Sequence, residues 1–461
     1  MSTSQVVSRS PQKPDDVVFS VPASEPSAVA GAVAEARQAQ ADWFALGTAG
    51  RSAALCAAAD ELSRRAEEFA TLIAREVGKP LGEATGEVAR GVSILRYYSQ
   101  QVFDPAGETY EAPAGALSFT RRRPLGVAGL ITPWNFPLAI LLWKAAPALA
   151  AGNSVVLKPS GDAIGVADAL RELLGGHLPK SVFSLVFGGR PVAESLIDAA
   201  DVVSFTGSTA VGQSVVARAT AAGVPVQAEM GGQNPAIVLP DADPDETASV
   251  LLGAIAGYAG QKCTATRRVI IVGDSSQHVA ALEKAVAAAN PADPVTGGTA
   301  VGPVINEAAQ AEFLGAVREA EEAGAVITSS PKGSDEGYYV PVTVARKLPR
   351  EHRLLRDEVF GPLATIVEVD TVDEAIAAAN DVKYGLVGSV HGRDVEALLR
   401  VASRLEAGMV RINAATTGVD FWMPFGGDKD SSFGPREQGK AAFGFYTKTQ
   451  TVSLAGGSPR W

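Results

Sequence analysis

The sequence is short of several things, and each shortage excludes a class of protein. Only two cysteines, Cys56 and Cys263, occur in 461 residues. A secreted disulfide framework needs more, so a reducing cytoplasm is the expected location. The four histidines, His177, His278, His352 and His391, stand in no obviously functional loop, which leaves a Cys-His hydrolase without support, and no metal site is expected. Positive charge is also scarce: 40 Lys and Arg against 51 Asp and Glu leave a net charge of -11. Affinity for a phosphate backbone comes from clustered cations, so no nucleic-acid partner is expected. Pro124 to Trp143 lacks charge and follows Arg121, Arg122 and Arg123, as a membrane span follows its anchor. Its prolines at 124, 133 and 137 break a continuous helix, so the stretch reads as strand, turn and helix, with no membrane partner. Met1 to Pro14 has neither the basic start nor the apolar core of a signal peptide and reads as a frayed tail. The G-x-G-x-x-G dinucleotide fingerprint is missing.

What remains is an ordinary globular composition long enough for two or three domains. From Ser27 to about Gln101 apolar residues recur at helical spacing, as in Arg51 to Val77 and Leu81 to Val102. Asp104 to Arg123 is polar and punctuated by Gly and Pro, and reads as a hairpin or projecting arm. Between Gly126 and Pro240, β-rich runs at 127–131, 154–157, 182–187, 202–205 and 224–227 alternate with helical ones. A second series places strands near 269–272, 325–328, 363–369 and 388–391, and helices at 276–289, 307–323 and 372–380. Alternation of this kind builds parallel sheets flanked by helices, so two α/β domains are expected.

Three local patterns carry chemistry. Gly207-Ser-Thr-Ala-Val-Gly212-Gln213 follows a strand and opens a helix. Gln213 stands where a triphosphatase loop needs Lys, yet the turn still offers backbone N–H groups to a diphosphate. Cys263 lies in the loop Gly260-Gln-Lys-Cys263, where Lys262 is expected to lower its pKa and make it a nucleophile; the alternative is a small core residue, which suits Cys56. Glu229 ends a buried-looking strand before two glycines, a place where a carboxylate has a raised pKa and acts as a general base, unless it turns to solvent.

Seven ordered segments then give a resemblance: Thr132-Pro-Trp-Asn135-Phe-Pro137, Gly152 to Ser160, Phe205 to Thr209, Glu229 to Pro235, Gly260 to Cys263, Glu358 to Pro362 and Pro424 to Gly427. In this order they resemble the aldehyde dehydrogenase superfamily. Within it, Arg122 to Gly126, Trp143-Lys144, Gly418 to Phe421 and Ser431 to Gly439 are most similar to bacterial 2-oxoglutarate semialdehyde (2,5-dioxopentanoate) dehydrogenases.

The resemblance implies a Rossmann-type cofactor domain (15–104 and 126–230), an α/β catalytic domain (231–430) and a small β oligomerisation arm (105–125 and 445–461). It implies that Cys263 is the nucleophile, Asn135 the oxyanion donor and Glu229 the base that hydrolyses a thioester. Thr132, Trp134, Lys158, Ser160, Gly161, Gly207, Ser208, Glu358 and Phe360 fall at cofactor positions. Gly161 replaces the Glu usual in NAD-preferring relatives, so NADP is expected to be accepted as well as NAD, with Lys158, Ser160 and Arg190 near its 2'-phosphate. Ile140, Trp143, Phe421 and Trp422 match the substrate tunnel. Trp422 adds apolar bulk, which keeps aromatic and aliphatic aldehydes open beside the acidic semialdehyde, and no Arg is placed to receive a distal carboxylate. A homodimer or homotetramer is implied, as is an alternative in which the fold has lost turnover.

Overall fold

The computed structural model describes residues 4–104, 107–112, 116–296 and 301–455. Parts of the expected tail (1–3) and arm (105–106, 113–115 and 456–461) lie outside the described residues. The opening helical region is four helices: α1 (Pro26–Ala45), α2 (Gly47–Arg64), α3 (Ala66–Val77) and α4 (Leu81–Gln101). The run expected from Arg51 to Val77 is therefore two helices, divided at Arg65, which leaves helical geometry at φ -97°, ψ 19°. Gly78 ends α3 in the left-handed conformation, φ 67°, where a residue with Cβ pays a steric cost. The tail expected to fray is instead a hairpin, Gln5–Ser10 antiparallel to Lys13–Pro22. Ser8 Oγ donates to Glu76 on α3 at 2.5 Å, and Gln12 Nε2 reaches the carbonyls of Ala74 and Arg75. These partners lie more than sixty positions away, so a polar stretch acquires order that its own residues do not encode.

Two sheets follow. The first has the order Ser432–Phe433, Val226–Glu229, Val202–Thr206, Val127–Ile131, Ser154–Lys158, Phe183–Leu185. Its last five strands are parallel. Val127–Ile131 is central, flanked by α5 (Ala139–Ala150), α6 (Ile164–Gly175), α7 (Arg190–Ala199) and α8 (Thr209–Ala221). The chain order reverses direction at that strand, and a cleft opens at the carboxyl ends of strands at such a switch point. Thr132, Lys158, Gly207 and Glu229 all sit at those ends.

The second sheet runs Val326–Ser329, Thr343–Arg346, Leu363–Val369, Thr266–Val272, Asn234–Val238, Val387–His391, Met409–Ile412, parallel except at its first pair. Met230 to Gln233 alone carry the chain from the first sheet into the second. A third sheet pairs Thr447–Leu454 with Leu117–Pro124 and Thr109–Tyr110 within the chain. Among the described residues no helix is long and apolar enough to cross a membrane. The largest core joins α2, α3, α4 and α5, with Trp43, Leu55, Phe69 and Leu142 fully buried.

Candidate active site

The site is where the carboxyl ends of the first sheet meet the amino ends of the second. Asn135 follows the central strand of the first, and Cys263 precedes the central strand of the second. Asn135 is 4% exposed. One of its amide hydrogens goes to the Gln261 carbonyl at 2.9 Å, two residues before Cys263. That single bond ties the turn at 132–137 to the cysteine loop.

The cysteine loop holds a costly backbone. Tyr258 (φ 53°) and Ala259 (φ 51°) are consecutive left-handed residues without glycine's freedom, at about 1–2 kcal/mol each. Gly260 follows at φ +66°, and a Cβ there would lie 2.3 Å from the Gly361 carbonyl oxygen. Tyr258 OH donates to Val77 O at 2.8 Å. Gln261 donates to the Tyr258 and Pro303 carbonyls and accepts from Ile305 N. A loop so tied keeps its strain because its surroundings over-determine it.

Cys263 itself packs against Leu386, Val387, Met409, Val419 and Phe425, while its carbonyl accepts from Asn234 Nδ2 at 2.7 Å. Its thiol is pushed up, first by burial and then by the charges of Glu358, Glu229 and Glu437, with Arg267 opposing. The expectation that Lys262 lowers this pKa is overturned, because Lys262 Nζ pairs with Glu83 of α4 at 2.6 Å. The local neighbour in sequence is spent on a carboxylate from a distant helix. Burial and then three acids around the sulfur hold the resting group as a neutral thiol.

Glu229 ends its strand almost fully buried. Ser432 Oγ donates to its Oε2 at 2.6 Å, whereas Oε1 has no partner among the described residues. Burial, then Glu437, raises its pKa well above the usual carboxylate range, with Ser432, Lys144 and Arg436 opposing. Glu437 accepts from Trp143 Nε1 at 2.8 Å and from Lys144, and Lys144 also donates to Ser204 Oγ and the Phe205 carbonyl. Lys144, Glu437 and Ser432 fall within the sequence resemblance, which gave them no role at the site. Lys144 had a signal, as the one charge within the apolar run Ala139 to Ala150.

Glu358 is only partly exposed, pairs with Arg267 at 3.6 Å and is pushed up to about 7, first by desolvation. A Cβ on Gly231 would come within 2.1 Å of its carboxylate, so only glycine lets the inter-sheet crossing pass this close. Phe360 stacks edge-on to Trp134 at 5.7 Å and lies under Arg267. Thr132 Oγ1 is buried without a partner among the described residues. Lys158 donates only to the Pro159 carbonyl, and burial lowers its pKa. Ser160 Oγ accepts from Asp162 N across the short turn holding Gly161, and Val6 of the amino-terminal hairpin stands 3.6 Å from where a side chain at 161 would begin. Gly207 and Ser208 lead into α8, and the Ser208 side chain makes no capping bond. Arg190 is mostly exposed and bound to Glu194 at 2.7 Å.

The four tunnel candidates divide. Trp143 packs on Phe425 at 5.7 Å. Phe421 contacts Tyr97 and Trp422 edge-on, and Trp422 is 53% exposed. Ile140 lies inside the main core.

Residues 1–452 match the aldehyde dehydrogenase family. The chain is 38% identical over 455 residues to alpha-ketoglutaric semialdehyde dehydrogenase of Bacillus subtilis (strain 168), covering 96% of this chain and 93% of that protein. It is 39% identical over 456 residues to alpha-ketoglutarate semialdehyde dehydrogenase of Haloferax volcanii, covering 96% and 94%. Its fold matches betaine aldehyde dehydrogenase of Staphylococcus aureus in complex with NAD+ at a TM-score of 0.94 and 29% identity, over 99% and 93% of the two chains.

Proposed function

The chain belongs to the aldehyde dehydrogenase family and is an oxidoreductase acting on aldehydes, and we propose that it converts 2,5-dioxopentanoate to the diacid through a thioester on Cys263. The observation that carries this reading is the Asn135 bond to the cysteine loop, with Glu229 close enough to act on the thiol's charge. Cys263 gives its proton to water in the cleft, and the sulfur attacks the aldehyde carbon as the thiolate. The second Asn135 amide hydrogen and the Cys263 backbone N–H, neither used by a described residue, receive the oxyanion that forms. A nicotinamide held by Glu358, Thr132 and the amino end of α8 would supply the hydride acceptor through which this adduct becomes a thioester. Glu229 then removes a proton from water, the water attacks the acyl carbon, and the acid leaves as the sulfur recovers its electrons.

The cleft suits a dinucleotide. The amino end of α8 after Gly207 and Ser208 offers unspent N–H groups to a diphosphate. Among the described residues Thr132 Oγ1 is buried without a partner and Glu358 Oε1, 3.6 Å from Arg267, makes no hydrogen bond, and polar ligand groups would bond both. Trp134 and Phe360 close the same wall. NAD is the cofactor supported by the relative solved with it. Acceptance of NADP is supported by Gly161 and by Lys158, which forms no ion pair among the described residues; Arg190, held by Glu194, supports it less. The names of the Bacillus and Haloferax relatives favour the acidic semialdehyde, and the aromatic pair Phe421 and Trp422 favours apolar aldehydes as a second reading.

The roles assigned to Cys263, Glu229 and Asn135, the division into a cofactor domain (15–104 and 126–230), a catalytic domain (231–430) and an arm (105–125 and 445–461), and a cytoplasmic homodimer or homotetramer belong to the same proposal. Exposed Tyr110, Leu117 and Leu454 on the third sheet support assembly through it. A steady-state screen of aldehydes with each cofactor tests the reading. Expected are free acid without added coenzyme A, a preference for 2,5-dioxopentanoate over pentanal, and measurable turnover with NADP. A requirement for coenzyme A would remove Glu229 as hydrolytic base, and strict use of NAD would remove the role given to Gly161.

A further inference from the structure

We propose that Arg90 and Gln438 form the receptor for the distal carboxylate of the substrate, and so set the preference for acidic over neutral aldehydes. The inference deepens the substrate reading above and rests on it. Arg90 lies on α4 and is only partly exposed. Its Cζ sits 5.8 Å from the centre of the Trp143 ring, and its Nη2 donates to Gln438 Oε1 at 3.2 Å. Two buried donors in this contact go unused: Arg90 Nε and Gln438 Nε2 have no acceptor among the described residues.

Nor is the charge neutralised by contact. No described carboxylate lies within ion-pair distance of Arg90, and Asp420 and Glu87 act on it only at longer range. Glu87, one turn away, is committed: its Oε1 accepts from Leu138 N and Ala139 N, and its Oε2 pairs with Lys79. A partly buried cation with spare donors is costly unless something fills them. A carboxylate does so in one step, since its two oxygens accept from a guanidinium and from a neighbouring amide at once.

Gln438 is held for that purpose in an unfavourable conformation, φ 60°. The next residue fixes it from both sides, Gly439 N donating to Phe421 O and Tyr98 OH to Gly439 O. The pair stands in the right place. Trp143 touches Arg90 with its ring and Glu437 with its indole N–H, and the Glu437 charge acts on Glu229. The receptor is thus one aromatic side chain removed from the buried acids of the reaction centre, and Phe421 and Trp422 form its outer rim.

The test compares kcat/KM for 5-oxopentanoate and pentanal, which share a chain length and differ in the carboxylate. In Arg90→Met the acid-to-neutral ratio is expected to fall about thirtyfold, chiefly through KM for the acid, as for loss of a hydrogen-bonded charge partner. Arg90→Lys should recover part of that ratio. Gln438→Asn, which keeps an amide but draws it back by one methylene, should lower the ratio by a smaller factor, and it carries the comparison if Arg90→Met fails to fold. Equal losses on both aldehydes, or a ratio that survives in a wild type that does prefer the acid, would overturn the receptor and leave the substrate reading standing. No preference for the acid in the wild type would overturn both.

Discussion

The two ends of the proposed substrate path are held in opposite ways. At the reacting end the groups that tie the loops together are committed, although Glu229 Oε1 and Asn135 Oδ1 make no hydrogen bond among the described residues. Asn135 and Gln261 are bonded to each other, Lys262 is paired with Glu83, and Lys79 lies between the Phe136 and Tyr258 rings while paired with Glu87. Glu83 and Glu87 are one turn apart on α4, so a single helix grips the cysteine loop with one carboxylate and the Asn135 turn with the other. At the distal end Arg90 and Gln438 keep unused donors among aromatic rings. Spent hydrogen bonds fix where the chemistry occurs, and unspent ones wait for the molecule that selects it.

The sharpest way to break this contrast is at the reacting end. Glu229→Gln removes the base and leaves the sulfur and its oxyanion donors, so one equivalent of reduced cofactor should appear rapidly and turnover should then fall by about 10³. A burst followed by a slow phase in rapid-mixing absorbance checks this, and a full steady-state rate would reassign the base. Cys263→Ala should show no burst. A smaller effect follows from Lys79→Met, which leaves Glu87 charged and buried without its partner. The expected loss is about 3–5 kcal/mol in urea unfolding. Adding Glu87→Gln, whose side-chain oxygen still accepts from Leu138 and Ala139, should restore part of that loss. If Lys79→Met unfolds like the wild type, α4 does not clamp the site as described.

The same contrast explains what could be read in the residues alone. Strands such as 127–131, 202–205 and 363–369 were legible because strands covered on both faces become continuous apolar runs. The helix Val372–Asn380 was legible with both ends, and Thr371 and Glu374 close a capping box at its start. The family resemblance was legible because the site's loops are local motifs. The amino-terminal hairpin was not, since its anchors are Glu76 and two carbonyls of α3. The same holds for the thiol's environment: Lys262 suggested a lowered pKa, but Glu83 takes the lysine and three distant acids raise it. No Arg could be placed at a distal carboxylate from the residues alone, because only the fold sets Arg90 against Trp143 and Gln438.

The smallest predicted effect tests whether the two ends communicate through Glu437, which meets Trp143 on one side and acts on Glu229 on the other. Burial is the first cause of the raised Glu229 pKa and the Glu437 charge the second. Hydrolysis needs Glu229 ionised, so the rate should climb as pH rises through that raised value. Glu437→Gln removes a negative neighbour and leaves Lys144 uncompensated beside Glu229, and both changes favour the carboxylate. The acidic limb of the kcat profile should therefore move to lower pH, by about one unit if the lost repulsion is near 1.4 kcal/mol. Because the glutamine oxygen still accepts from the Trp143 indole, Arg90 and Trp143 keep their places and the acid-to-neutral substrate ratio should hold. A limb moving to higher pH would mean that Glu437 stabilises the ionised base, and a collapsed ratio would mean that the distal receptor depends on this charge rather than on Trp143.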